Sequence, residues 1–176
     1  MDTLPVDLRL SITVDASACD LDDLAPCGGV DVKVGGDVDW REFVERAVSS
    51  SWRGVERLGG AEGTVADAVR ANVEADGQAV ADVVASVATW DRADGRTRTF
   101  AFAECGFGPA ESRFQEVMPS GEHRYEIHEV TFLFEQGDKT LPIRDGDLAA
   151  ALGVEPGERV RLVEYAERRG RTAAAR

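Results

Sequence analysis

Hydrophobic and polar residues alternate along several stretches of the chain, as they do in strands that bury one face and expose the other. Residues 6–14 are the clearest case, with an apolar side chain at every second position. The pair Asp94-Gly95 separates two further stretches, and because these residue types tolerate positive φ we predict a hairpin turn there. The predicted strands are residues 6–14, 30–34, 80–90, 96–102 and 125–134.

Helical spacing of apolar residues replaces this alternation in other parts of the chain. Asp39 can accept hydrogen bonds from the free N–H groups of a helix start while Glu42 reaches back, and Thr64 with Asp67 repeats the pattern. A third helix is predicted over residues 145–152, where a glycine follows. The apolar face of the first helix comprises Trp40, Phe43, Val44, Ala47 and Val48.

Strands outnumber helices and follow one another through hairpins, so the pattern favours an α+β fold in which an antiparallel sheet has flanking helices. The length of 176 residues suits one domain with a buried core. We assign residues 1–165 to this single domain. Residues 166–176 are mostly charged or small, and we predict a frayed C-terminal tail there.

The charge of the chain narrows its range of partners. The formal net charge is −13. Binding to nucleic acid needs basic surface that displaces counterions from phosphates, so this charge argues against a nucleic-acid partner. It also disfavours an anionic membrane surface, and no apolar stretch reaches transmembrane length. The N-terminus lacks a signal-peptide pattern, and we expect a cytoplasmic protein.

The cysteines and histidines offer little metal or nucleophile chemistry. Cys19, Cys27 and Cys105 form no CxxC pair, which disfavours a disulfide framework and a zinc site. Cys105 has no histidine near it in sequence, so a structural role is favoured over a nucleophilic one. His123 and His128 lie on or beside one predicted strand and are expected on opposite faces. We therefore expect no metal.

Two glycine-containing segments in the middle of the chain carry the most specific signal. They read GAEGTVADAVRANVEADG over residues 60–77 and CGFGPAESRF over residues 105–114. Together with ASVATWDRADG, YEIHEVTFLF and LAAALG, their order and spacing resemble the middle FAD-binding subdomain of the MurB family. Members of that family are UDP-N-acetylenolpyruvoylglucosamine reductases of peptidoglycan synthesis. The resemblance implies an enzyme that uses FAD to pass hydride from NADPH to an enolpyruvyl ether.

The sequence departs from the family's pattern at positions that carry its chemistry. Pro109-Ala110 stands where the resemblance places a tyrosine and an arginine, and neither residue offers a donor or a charge for a developing oxyanion. About thirty residues precede the matching region, without the family's glycine-rich phosphate loop. The family's proton-donating serine belongs to a C-terminal domain that would begin near Arg176. These losses imply a truncated, degenerate relative without the N-terminal FAD lobe and the C-terminal substrate domain.

Acidic residues crowd the turn that would face the flavin's pyrophosphate. Glu62, Asp67, Glu74 and Asp76 accompany a single basic residue, Arg70. Each carboxylate within about 5 Å of a phosphate costs on the order of 1–3 kcal/mol at an effective dielectric constant near 20. We therefore expect no cofactor, and FAD in particular is not expected to bind.

The same two segments supply the candidate site residues. Arg113 could bind an acidic or carbonyl group of a ligand and Glu111 could act as an acid or base, but an ordinary ion pair holding the turn accounts for them equally well. Asn72 and Gln78 could line a vacated flavin cleft or satisfy local backbone groups. The ligand-binding residues predicted from the resemblance are Thr64, Arg70, Asn72, Glu74 and Gln78.

These features lead to three functional hypotheses. The first is a cofactor-independent enzyme of specialised (natural-product) metabolism, a cyclase or isomerase that holds a flexible small-molecule substrate in the vacated cleft, for example for a cycloaddition. The second is a non-catalytic interaction or regulatory protein. The third is a true FAD-dependent reductase of the MurB type. Self-association to a homodimer is expected under the first two, because faces that the family buries would be exposed.

Overall fold

One antiparallel sheet organises the chain. Residues 12–15 and 29–174 are described in the computed structural model of the protein. The strands are β1 (Ile12–Asp15), β2 (Val30–Gly35), β3 (Trp52–Arg53), β4 (Glu74–Ala75), β5 (Gln78–Ala79), β6 (Val84–Asp91), β7 (Arg96–Ala101) and β8 (Tyr125–Gln136). The order across the sheet is β1-β2-β8-β6-β7, with β3 also paired to β8, and β4 and β5 form a separate two-stranded ribbon.

Four α-helices accompany these strands in the described part of the chain. They are α1 (Trp40–Ser49), α2 (Val65–Arg70), α3 (Gly146–Leu152) and α4 (Leu162–Ala174). Short 3-10 turns add Val80–Asp82, Phe102–Glu104 and Arg113–Gln115. An antiparallel sheet with flanking helices confirms the predicted α+β class.

The main core lies on one face of the sheet, under α1 and α2. The alternate residues of β8 on this face are buried, and the Phe43 ring of α1 stacks on Phe132 with ring centroids 5.0 Å apart. Trp40 is buried and its indole Nε1 donates to the Leu58 carbonyl oxygen at 2.9 Å. Glu126 and His128 on the opposite face of β8 are exposed. A sheet of this kind buries one face and leaves the other in water.

The predicted helix starts at Asp39 and Thr64 are confirmed, but the described residues show no bond returned from the Glu42 side chain to the Asp39 N–H. Asp39 Oδ1 accepts from the Glu42 backbone N–H at 3.0 Å at the start of α1. Thr64 and Asp67 form a reciprocal capping box at the start of α2, in which each side chain accepts from the other residue's backbone N–H. These contacts join residues three positions apart, which is why the sequence alone reveals them.

One strand prediction and one turn prediction need correction. The strand predicted over residues 80–90 begins only at Val84, because Asp82 folds back and its Oδ2 accepts from the Ala79 N–H at 2.9 Å, closing a 3-10 turn. The hairpin between β6 and β7 is present, but only Gly95 of its turn has a positive φ, at 62°. The strand predicted over residues 6–14 is observed from Ile12, and its earlier part lies outside the described residues.

Helix α4 continues through residues 166–174 of the segment predicted as a frayed tail, and that this tail frays stays a prediction. The first turn of this helix packs against the fold, since Leu162 and Tyr165 are buried. A second, smaller hydrophobic cluster surrounds α3 and the start of α4. It comprises Ile143, Leu148, Ala149, Leu152, Val160 and Tyr165. The assignment of residues 1–165 to a single domain stays a prediction.

A buried carboxylate fixes the end of β6. Asp91 is 0% exposed and accepts from Arg124 through both oxygens, from Nε at 2.9 Å and from Nη2 at 2.9 Å. Its Oδ1 also accepts from the Ala93 N–H at 3.1 Å, which shapes the hairpin turn. The hydrogen bonds from Arg124 lower the pKa of Asp91 from 3.8 to about 2. The charged carboxylate is therefore the form that the folded protein holds.

The depressed pKa of Asp91 predicts a specific loss of stability in acid. Because the folded-state pKa lies below the unfolded value, this contribution is complete above about pH 4 and is lost as the pH falls towards 2. The urea midpoint of Asp91→Asn should therefore change less between these pH values than that of the unaltered protein. Asp37→Asn, on an exposed residue, is the matched control and should keep the original pH dependence. An unchanged pH dependence in Asp91→Asn would contradict the assignment.

Candidate functional site

The two glycine-containing segments singled out in the sequence meet in the structure. Asn72 is buried, and its Nδ2 donates to the Gly108 carbonyl oxygen at 2.8 Å. Its Oδ1 accepts from the Ala81 N–H at 3.0 Å. A second link runs from Ser112 Oγ to the Arg70 carbonyl oxygen at 2.7 Å. These bonds hold residues 105–114 against the end of α2, and they use both polar atoms of the Asn72 amide.

Thr64 and Arg70 lie at the two ends of α2 and are engaged within it. Thr64 Oγ1 donates to Asp67 Oδ2 at 2.9 Å and accepts from the Asp67 N–H at 3.2 Å. Arg70 Nη1 pairs with Asp67 Oδ1 at 3.1 Å. The Thr64 backbone N–H is the main cause of the lowered pKa of Asp67. Both predicted ligand-binding side chains therefore help to position a charged Asp67.

Glu74 and Gln78 lie on the two paired strands of the β4–β5 ribbon. Gln78 is buried, with Oε1 accepting from the Arg57 N–H at 3.0 Å and Nε2 donating to Glu56 Oε1 at 2.8 Å. Glu74 is exposed, and its side chain makes no hydrogen bond or ion pair with the described residues. Of the predicted ligand-binding set, Thr64 and Arg70 share Asp67 as a partner, whereas Asn72 and Gln78 bind other parts of the chain. That these residues bind a ligand stays a prediction.

Glu111 and Arg113 are both exposed on the second segment. Arg113 Nε donates to the Glu104 carbonyl oxygen at 2.5 Å, and its guanidinium lies 5.3 Å from the centre of the Phe100 ring. We find no ion pair between Glu111 and Arg113 in the described part of the chain. The guanidinium is therefore fixed through Nε, and its two terminal nitrogens have no partner among the described residues. An acidic group could be bound there by charge-assisted hydrogen bonds.

Pro109 and Ala110 form the tip of a two-residue turn. Gly108 and Glu111 exchange both backbone hydrogen bonds, each at 3.0 Å. Ala110 has a φ of 53°, a conformation that costs a residue with a Cβ roughly 1–2 kcal/mol. The resemblance places an arginine at this position, and the structure has an exposed methyl group there instead.

Sequence reasoning missed a groove between α1 and α4, which we call the α1–α4 groove. Its volume is about 760 Å³. Val44 and Val48 of α1 line one wall, Val163 and Tyr165 of α4 line the other, and Arg57 is among the residues between them. No local pattern signals this groove, because it joins segments more than one hundred residues apart in the chain. A second cavity of about 510 Å³ lies on the other side of Arg57, beside Gln78 and Leu141.

The cysteine and histidine candidates show no arrangement for catalysis or metal binding in the described residues. Cys105 is buried, and burial raises the pKa of its thiol to about 11, so the side chain is held as a neutral thiol. His123 is exposed and His128 pairs with Glu126 at 3.3 Å. Within residues 12–15 and 29–174 no group of three or more His, Cys, Asp or Glu is arranged to hold a metal. None of the helices in the same ranges is long and apolar enough to cross a membrane.

Comparison with known proteins identifies the class of fold. No protein-family profile matches the chain. The crystal structure of MurB from Thermus caldophilus superimposes with a TM-score of 0.53 at 21% identity, over 82% of this chain and 42% of that one. The α+β sheet with its helices is therefore a MurB-type fold.

Sequence similarity shows the relationship more directly. The chain is 41% identical over 138 residues to the UDP-N-acetylenolpyruvoylglucosamine reductase of Cutibacterium acnes, and 37% identical over 150 residues to that of Thermobifida fusca. The aligned regions cover 78% and 85% of this chain. It spans only 36% and 40% of the length of these two relatives. The chain is thus a partial-length relative of the MurB family, as its motifs suggest.

These relatives correct the functional hypotheses. The cofactor-independent cyclase or isomerase of natural-product metabolism is wrong, because the relatives are named as reductases and none as a cyclase or isomerase. The expectation that no cofactor binds is wrong for the same reason. The repulsion expected between these carboxylates and a pyrophosphate is also smaller than the sequence suggested. Asp67 pairs with Arg70, and Asp76 Oδ2 lies 3.0 Å from Arg169 Nη2. Predicted self-association to a homodimer stays a prediction.

The role of Asn72 as the link between the segments can be tested by stability. Asn72→Ala leaves the Gly108 carbonyl and the Ala81 N–H without their partner and places alanine at a φ of 41°. We expect the free energy of unfolding to fall by about 2–3 kcal/mol. Glu74→Ala, two residues away and exposed, should change it by less than about 0.5 kcal/mol. Equal effects of the two substitutions in urea denaturation would show that Asn72 makes no such link.

The backbone conformation at Ala110 predicts a stabilising substitution. Glycine adopts positive φ without the steric cost of a Cβ, so Ala110→Gly should raise the free energy of unfolding by about 0.5–1 kcal/mol. Ala103→Gly, on a nearby exposed residue without a positive φ, should lower it instead. A destabilised Ala110→Gly would mean that the turn does not have this geometry.

Proposed function

We propose that the chain forms the flavin-contacting part of an FAD-dependent reductase of the MurB class. The observation that carries the proposal is its 41% identity over 138 residues to a UDP-N-acetylenolpyruvoylglucosamine reductase. The aligned length covers 78% of this chain, and the two segments that resemble the family's flavin-contacting turns meet in space. By the same argument, a UDP-linked enolpyruvyl sugar is the substrate class that we propose for the complete reductase.

The backbone of residues 60–63 fits an approaching nucleotide. Gly60 and Gly63 are exposed, and a Cβ at Gly60 would meet no atom within 4 Å. Gly63 has a φ of 101°, which a side chain rarely tolerates. Bare backbone of this kind lets phosphate oxygens approach peptide N–H groups closely. The turn therefore supports the proposed contact with the pyrophosphate.

The charges near this turn also permit flavin binding. Two of its four carboxylates, Asp67 and Asp76, are paired with Arg70 and Arg169. Glu62 and Glu74 are exposed, so water and salt screen their repulsion of a phosphate. The remaining penalty falls well below that of four unpaired carboxylates in a site of low dielectric constant.

The residues of this chain would bind and orient the flavin. Bound FAD would supply the hydride chemistry of the reductase. Asn72 and Ser112 would keep the two turns in register beneath it. Pro109 and Ala110 offer no side-chain donor, so we propose that Arg113 holds the acidic group of the substrate through its terminal nitrogens. Glu111 is the candidate acid or base on the same exposed turn.

Flavin binding to the full chain tests the proposal. Titration with FAD, followed by quenching of flavin fluorescence, should saturate at one equivalent. Glu62→Lys reverses a charge beside the proposed pyrophosphate position and should tighten FAD binding about fivefold at low salt, with a smaller gain at high salt. Riboflavin, which has no phosphate, should show no such gain.

A matched substitution separates the effect of a charge beside the pyrophosphate on FAD affinity from the effect of the protein's total charge. Glu129→Lys makes the same change on an exposed residue of β8 and should leave FAD affinity unaltered. The absence of saturable FAD binding would refute the proposal. Equal gains for Glu62→Lys and Glu129→Lys would refute the assigned position of the pyrophosphate.

A further inference from the structure

The α1–α4 groove holds buried polar atoms that the fold leaves without partners. Tyr165 is 1% exposed and Arg57 is 8% exposed, and both line the groove. The hydroxyl oxygen of Tyr165 and Nε of Arg57 have no hydrogen-bond partner among the described residues. Leaving a buried polar group unsatisfied is costly, so these two atoms need a partner that the described residues do not supply.

The surroundings of Arg57 determine which chemical group the bound molecule must present to it. Nη1 of Arg57 donates to the Asp76 carbonyl oxygen at 2.7 Å and Nη2 to the Leu141 carbonyl oxygen at 3.3 Å. These partners are neutral, and no carboxylate of the described residues forms an ion pair with Arg57. Both oxygens of the neighbouring Glu56 are occupied, by the Gly54 N–H and by Gln78 Nε2. The guanidinium therefore lacks a negative partner, and its free Nε is a donor.

Tyr165 adds a second donor at the same place. Burial raises the pKa of its hydroxyl to about 12, so the group keeps its proton at neutral pH. Tyr165 and Arg57 line the same groove, and the charge of Arg57 is one of those that act on this hydroxyl. Two donors in one groove match the two oxygens of a carboxylate.

The rest of the groove is suited to an apolar body. Val44 and Val48 of α1 face Val163 of α4, and Val163 is 58% exposed. The volume of about 760 Å³ lies within the range of small-molecule pockets. Arg169, whose side chain is 44% exposed, also lines the groove and is held by its ion pair with Asp76 Oδ2 at 3.0 Å.

We propose that the α1–α4 groove binds an amphipathic carboxylate of the size of a medium-chain fatty acid. Its carboxylate accepts from Arg57 Nε and the Tyr165 hydroxyl, and its apolar chain lies along Val44, Val48 and Val163. The inference rests on the groove alone and does not depend on the proposed flavin function.

Calorimetric titration of the full chain with octanoate tests this site. We expect one saturable site with a Kd of the order of 0.1 mM, as its size allows. Octanamide, which has the same chain but no charge, should bind at least tenfold more weakly, and octylamine should not bind. Binding of octylamine as tight as that of octanoate, or no saturation by octanoate, would overturn the proposal.

Two substitutions locate the ligand within the groove. Tyr165→Phe removes only an unpartnered hydroxyl, so it should keep the melting temperature and weaken octanoate about tenfold. Val163→Glu places a charge in the apolar half and should abolish binding, whereas Val117→Glu, 55% exposed and outside the groove, should not. Unchanged affinity in Tyr165→Phe or Val163→Glu would overturn the assignment. FAD titration of Tyr165→Phe keeps the two proposals apart. Gly60 borders both the groove and the proposed pyrophosphate position, but this substitution changes no charge and should leave FAD binding intact.

Discussion

The position of the candidate site depends on the close approach of Gly36 to β8. The Gly36 N–H donates to the His128 carbonyl oxygen at 2.8 Å, and its own carbonyl accepts from the Ala66 N–H at 2.9 Å. A Cβ at this position would lie 2.3 Å from the Ile127 carbonyl oxygen, so only glycine fits without a backbone shift. One residue thus connects the central strand to α2 through backbone bonds on both sides. The glycine-containing turn before α2 takes its position from the sheet through this contact.

Helix α2 in turn fixes the position of the second segment, residues 105–114, through buried side chains. Asn72 and Ser112 bind backbone carbonyls across the junction, which leaves the exposed Glu111 and Arg113 on a supported turn. Polar residues that hold the scaffold are therefore distinct from those that can meet a ligand. This division explains how the chain stays 41% identical to a reductase while Pro109 and Ala110 stand at positions where the family's pattern has other residues. The fold does not require a particular side chain at an exposed turn tip.

Features set by contacts between near neighbours were predictable from the sequence. The caps at Asp39 and Thr64 involve residues three positions apart, and alternation revealed β2 and β8. The start of β6 was misplaced because the bond from Ala79 to Asp82 overrides the propensity of a valine-rich stretch. Helix α4 and the burial of Gln78 depend on partners far away in the chain, which no periodicity reveals. For the same reason the motifs located the two meeting turns but not the α1–α4 groove.

Arg57 connects the two hydrophobic clusters of the fold. It reaches the Asp76 carbonyl beside the main core and the Leu141 carbonyl beside the smaller C-terminal cluster. A buried charge held only by neutral acceptors is unfavourable, so this junction lowers the stability of the fold. An anion that pairs with Arg57 would offset that cost in the folded state alone. Binding would then stabilise the contact between the clusters, and with it α4, because a ligand that binds only the native state raises its stability.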